Sequence, residues 1–235
     1  MRPDSPAPGA LRQRFRPLLW FGILFVGVAF LVRLILLVKT RHEVPPNLGQ
    51  WLYLFLVGLG YDLVTYIYFA WPLLLVLWLL PRRVYVSRWG HRIFIGLCFV
   101  LAFAVLYLGA AELVFWGEFS ARFNFIAVDY LVYTHEVVGN IRESYPIGTW
   151  SALLVLGTVL VIFFSRRVLA ARDDGSRFLG RSAVVGVWLL LTVAVSFAVD
   201  GSMKDRSSNN YVNELAGNGI YQFFAAFRDN ALDYA

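Results

Sequence analysis

Charge is scarce in this 235-residue chain: Asp, Glu, Lys and Arg together make up only 15% of it. An ordinary soluble domain carries about 25%. Set beside 59% hydrophobic residues and a mean hydropathy of +0.64, the shortage excludes a water-soluble domain and points to a membrane protein. Cysteine is nearly missing too. The single Cys98 excludes an intrachain disulfide and, inside an apolar run, reads as a small core residue. Histidine occurs only at His42, His91 and His135, and no His, Cys or carboxylate group has the spacing of metal ligands. Nucleophile elbows, P-loops and dinucleotide fingerprints are absent, as are N-x-Ser/Thr sequons. The sequence therefore contains no self-sufficient active site.

What it does contain is five long apolar runs, at residues 17–38, 51–80, 93–116, 149–165 and 182–199. Four are close to the ~20 residues needed to cross a hydrocarbon core of ~30 Å at ~1.5 Å per residue, and the second is longer. The first continues past Arg33 without a small-x-small cleavage site, so it reads as an uncleaved anchor. Pro72 predicts a kink in the second, while Trp51, Tyr53 and Trp150 read as interfacial anchors. The expected fold is all-α: a polytopic membrane protein with five transmembrane helices plus extracytoplasmic amphipathic juxtamembrane helices.

Basic residues set the expected orientation. Thirteen arginines fall on one side of these spans, in the basic tail at residues 1–16 and in the short loops around Arg82, Arg88, Arg166 and Arg177. Seven lysines and arginines fall on the other. The positive-inside rule then places the N-terminus in the cytoplasm and the C-terminus outside, as in a bacterial inner membrane protein. This loop placement accounts for the net charge of +6 without invoking nucleic acid.

Two stretches lie on the expected outer side. In the first, residues 118–146, apolar positions such as Phe123, Ile126, Tyr130 and Val137 recur at helical spacing, and Arg122, Asp129, Glu136 and Glu143 recur every seven residues. It reads as an amphipathic platform at the membrane surface. The second, residues 200–235, reads as a polar loop followed by a juxtamembrane helix carrying Leu215, Phe223, Phe224 and Phe227, interrupted at Gly217-Asn218-Gly219.

Three ionisable residues lie within the spans: Arg33, Asp62 and Glu112. Each is costly in hydrocarbon unless paired or wetted. Two readings stand, an inter-helix pair of Arg33 with Asp62 or Glu112, or direct contact with a lipid headgroup.

The strings EFSARFNFIAVDYLVYTHEVVGNIRESYP and NNYVNELAGNGIYQFFAAFRDNALDY, set behind five spans, resemble the membrane portion of the lipoteichoic acid synthase family, in its Gram-negative, sulfatase-like phosphoglycerol transferase branch. The positions that carry the resemblance are Arg122, Phe123, Asn124, Asp129, Tyr130, Glu136 and Asn140 in the platform, and Asn213, Glu214, Leu215, Asn218, Gly219 and Tyr221 in the tail. It implies a membrane anchor that seats an extracytoplasmic catalytic domain, absent from this chain and expected beyond the tail. That domain would hold a threonine nucleophile and a divalent metal, usually manganese, and transfer glycerol phosphate from a phosphatidylglycerol-type lipid. On this expectation the chain alone is inactive, because none of the family's nucleophile or metal-ligand motifs has a counterpart here. Alternatives from other classes are a small transporter-like protein using Arg33, Asp62 and Glu112 along a polar path, or a membrane protein that binds a protein partner through the platform.

Overall fold

The computed structural model describes residues 9–132, 146–170 and 175–232. Among them every regular element is a helix: α1 (Ala10–Arg14), α2 (Arg16–Lys39), α3 (Leu48–Phe69), α4 (Trp71–Leu79), α5 (Arg82–Val86), α6 (Arg88–Phe119), α7 (Phe125–Val132), α8 (Ile147–Leu169), α9 (Phe178–Ala198), a short 3-10 helix at Gly201–Lys204, α10 (Asn210–Ala216) and α11 (Gly219–Leu232). Five of these, α2, α3, α6, α8 and α9, are long and apolar enough to cross a membrane. The protein is a helical polytopic membrane protein.

Local chemistry sets the helix boundaries. Asn47 caps α3 by accepting from Gly49 N at 2.8 Å, and Ser87 caps α6 by accepting from Gly90 N at 3.1 Å. The second span is interrupted at Ala70, just before Pro72, whose ring nitrogen has no hydrogen to donate. The helical course nevertheless continues, since Leu74 N still donates to Ala70 O at 2.9 Å. Together α3 and α4 run ~47 Å, and the 32-residue α6 about the same, well beyond a ~30 Å hydrocarbon core.

Helix α2 packs against α3, α6 and α8, α8 also packs on α6, and α9 lies along α3 and α4. Polar edges of aromatic residues join these neighbours where water is absent. The Trp188 indole donates to Ile67 O at 3.1 Å, Trp71 to Thr192 at 3.1 Å, Trp78 to Ser182 at 2.9 Å and Trp20 to Ser165 at 2.7 Å. On the face where α4 ends, called here the arginine face, the carbonyls of Leu77 and Leu80 are capped by buried Arg14, with Arg181 adding a second bond to Leu80 O. Part of the segment read from sequence as a basic tail is thus helix α1, held against the bundle by Arg14.

The interior is divided into two hydrophobic cores. The larger unites Phe21 and Phe25 of α2, Leu73, Leu74 and Leu77 of α4, and Phe94, Cys98 and Leu101 of α6. The smaller lies at the opposite end, where Leu36 and Leu37 of α2, Leu54 of α3 and Trp116 of α6 enclose Val212, Leu215 and Ala216 of α10. Near this second core each of α2, α3 and α6 carries one buried charged residue: Arg33, Asp62 and Glu112.

Candidate functional site

The chain beyond α9 folds back over the ends of α2, α3 and α6, a surface called here the tail face. Each turn of this return is fastened by a side chain. Asp200 caps the 3-10 helix by accepting from Ser202 N at 2.8 Å, and the Tyr61 hydroxyl on α3 donates to Asp200 O. Nearer the start of α3 the Tyr53 hydroxyl donates to Lys204 O at 2.7 Å. Asn213 closes the next loop with two reciprocal bonds to the backbone of Ser207, both 2.9 Å. Asn209 caps α10 through Val212 N and reaches across to Glu43 O on the connection between α2 and α3. Asn218 caps α11, accepting from Tyr221 N at 3.1 Å.

Where α10 hands over to α11, two arginines from the bundle meet the C-terminal carbonyls of α10. Arg33 forms a fork to Asp62, with bonds of 2.7 and 2.9 Å, and uses its remaining donors on Leu215 O at 3.0 Å and Gly217 O at 3.1 Å. Arg122, just past the end of α6, pairs with Glu112, donates to Glu214 O at 2.9 Å and approaches Leu215 O at 3.4 Å. Positive charge at the C-terminus of a helix is favourable, and here two guanidinium groups supply it. The cluster is closed to solvent: Arg33 and Arg122 are 1% exposed, Asp62 0% and Glu112 5%. A buried guanidinium is tolerable only with a partner and filled hydrogen-bond positions, and both arginines have these.

Two glycines make the close approach possible. A Cβ on Gly58 would run into the Arg33 guanidinium, and one on Gly219 would lie 2.5 Å from Glu112 Oε1. The Glu112 carboxylate therefore rests against the first turn of α11, where the helix dipole favours a negative group. Glu214 links the buried layer to the surface. It accepts from Arg122 N at 2.9 Å and from Lys204 Nζ at 2.8 Å, while Lys204 also contacts Asp205 at 3.1 Å. Burial alone would lower the Lys204 ammonium, but the hydrogen bond and charge of Glu214, with Asp205, outweigh it and hold the group above its ordinary value. Hydrogen bonds from Ser202 hold the Asp200 carboxyl below its usual range.

Of the residues singled out by sequence, Arg33, Asp62, Glu112, Arg122, Asn213, Glu214 and Asn218 come together at this junction. Tyr221 borders it, its ring centroid 4.9 Å from that of Tyr61 and its hydroxyl donating to Val199 O. Others stand apart. Asn124 caps the start of α7 through Ile126 N at 3.0 Å, Asp129 is half-buried on α7, and Tyr130 is exposed, its ring edge-on to Phe119. Glu136 and Asn140 lie outside the described residues. Sequence reasoning missed Gly58, although it precedes Asp62 by one helical turn and so shares its face. It also missed Lys204, Asn209 and the carbonyls of Leu215 and Gly217, for which the sequence offers no local signal.

Among the described residues no three His, Cys, Asp or Glu side chains are grouped to hold a metal ion. Asp62, Glu112 and Glu214 instead bind cationic side chains, so this arrangement does not fit a divalent cation. It does fit the fastening of one chain segment to three membrane helices. Comparison of the chain with protein-family models, with curated proteins and with solved structures finds no match.

Proposed function

We propose that this chain is the membrane-anchoring and positioning module of a lipoteichoic acid synthase-like phosphoglycerol transferase, with its arginine face toward the cytoplasm and its tail face outside a bacterial inner membrane. The resemblance of the platform and tail strings suggests the family. The observation that supports positioning is that the segment leading into α11 is bonded, through buried charges, to α2, α3 and the end of α6. A domain attached beyond α11 would be carried at a set height and angle above the bilayer. A flexible tether would not need two desolvated ion pairs. In this reading the phosphatidylglycerol-type lipid and the divalent metal, manganese by resemblance, are handled by the attached sulfatase-like domain.

The competing polar-path reading is not supported, because Arg33, Asp62 and Glu112 are sealed in by the tail. Sequencing the coding DNA downstream of the Ala235 codon tests the proposal. An open frame encoding a sulfatase-like domain is expected; a stop codon followed by unrelated sequence overturns it. Orientation is tested separately with alkaline phosphatase fused after Leu232, which is expected to be active in whole cells and would be inactive if the tail face were cytoplasmic.

A further inference from the structure

The arginine face carries a second feature, independent of the proposed transferase role. At the junction of α1 and α2 the chain bends at Phe15 (φ −95°, ψ 7°), and an open groove is lined there by Gly9, Arg12, Gln13, Phe15, Arg16 and Leu19. Arg14 fixes its geometry. Its guanidinium is anchored to Leu77 O and Leu80 O and stacks 3.8 Å from the Tyr85 ring centre, which holds α1 against the bundle. Arg12 and Arg16, two residues to either side, are exposed at the groove. Neither has a hydrogen-bond, ion-pair or ring partner among the described residues. The groove also has an apolar side, formed by Phe15 and by Leu19, which is 67% exposed on the first turn of a membrane-spanning helix.

Charge complementarity identifies the occupant. Arg12 and Arg16 present two exposed guanidinium groups on one side of the groove, opposite the apolar surface of Phe15 and Leu19. Two guanidinium groups at the membrane boundary, next to an apolar wall continuous with the lipid-facing side of α2, match a phosphodiester joined to acyl chains. We propose that this groove is a binding site for one anionic phospholipid of the arginine-face leaflet. Arg12 and Arg16 hold its phosphate, Gln13 donates to the headgroup, and the acyl chain runs along Leu19. The lipid would bridge α1 and α2, resisting movement at the Phe15 bend.

Native mass spectrometry of the purified full chain, in detergent with equal amounts of phosphatidylglycerol and phosphatidylcholine of matched acyl chains, tests this. The wild type is expected to retain one phosphatidylglycerol preferentially. R12Q/R16Q should weaken that retention by about thirtyfold, taking the usual contribution of each arginine near an anionic surface. R83Q/R88Q, which removes two other exposed arginines of the same face, should leave it unchanged. Excess inorganic phosphate should not displace the lipid, because it lacks the acyl chain. The proposal is overturned if the wild type shows no preference, if both double variants lose retention equally, if R12Q/R16Q retains the lipid as the wild type does, or if phosphate alone competes it away.

Discussion

The Asn218 side-chain amide donates to Asp62 Oδ1 at 2.8 Å across 156 residues of chain, sharing that oxygen with Arg33. A residue in the middle of a membrane helix and a helix cap in the tail are thus parts of one bonded unit. Replacing Asn218 with Ala removes both the bond to Asp62 and the cap on Tyr221 N, and should cost about 1–3 kcal/mol. Asn218→Asp keeps a capping oxygen but sets a second carboxylate against the first. It should be the worse of the two, despite Asp being as good a cap in isolation. Thermal unfolding of the purified protein in detergent gives the ranking, and an N218D variant as stable as the wild type would contradict the shared-oxygen geometry.

The Arg33–Asp62 pair gives a coupling that can be measured. Asp62→Ala alone strands a buried guanidinium and should cost about 3–5 kcal/mol, as should Arg33→Ala, which strands the carboxylate. The Arg33→Ala, Asp62→Ala double variant should lose less than the sum of the singles, because neither charge is then left stranded. Some loss will remain, because Leu215 O and Gly217 O would still lack donors. Additive losses in a double-mutant cycle would show that the two side chains act separately.

Gly219→Ala tests how closely α11 approaches α6. Alanine is ordinarily the better helix former, yet here its methyl group would overlap the Glu112 carboxylate. The expected outcome is destabilisation of about 1–3 kcal/mol, together with faster proteolysis of the tail. Gly186→Ala on α9, where a methyl group would meet open space, is the matched control and should be neutral or slightly stabilising.

Lys204 predicts a pH dependence of one sign. Its folded-state pKa lies above the ordinary 10.5, so its contribution to tail docking is complete below that value and is lost as pH rises through the folded pKa. Hydrogen exchange of the tail amides should therefore show no dependence on Lys204 ionisation from neutral pH to about 9, and progressive loosening above the lysine range. Lys204→Met should be looser throughout and lack the alkaline step. Asp200 has the opposite sign: its lowered pKa makes its cap fail only in acid, as pH falls through the folded value.

Removal of a single inter-span hydrogen bond should matter far less. Trp188→Phe deletes the indole bond to Ile67 O and should cost roughly 0.6 kcal/mol beyond the packing change, the usual value for such bonds in membrane helices. A loss several times larger would mean that the interruption at Ala70 depends on the indole to satisfy the carbonyls around it.

The sequence carried the architecture because span length and hydropathy are local properties. The first run, read as 17–38, is helix α2 at Arg16–Lys39, and the tail interruption read at Gly217-Asn218-Gly219 is the gap between α10 and α11. Boundaries were less legible where a helix outruns the bilayer. The third run, read as 93–116, extends to Arg88–Phe119 because Ser87 caps it beyond the apolar stretch and Ser120 stops it in a left-handed turn with φ 50°. Arg33 and Asp62 were visible as costly charges with a shared partner choice. The role of Arg122 was not visible. Placed by sevenfold spacing on the solvated face of a platform, it is instead buried against Glu112, ten residues earlier. Periodicity identifies a face but cannot reveal a segment that folds down from another part of the chain to cover it.

The distances along the chain within the buried layer impose an order in time. Arg33 is synthesised 29 residues before Asp62 and 182 residues before Leu215, whose carbonyl completes its coordination. At about 5–20 residues per second, that last partner emerges roughly 10–35 s after the arginine. Where each span inserts as it is synthesised, the first meets its counterion only with the second span, and its final hydrogen-bond acceptors only after three further spans. During that interval the bundle is a nascent intermediate with an open polar end, the stage at which a membrane chaperone or a quality-control protease would find it.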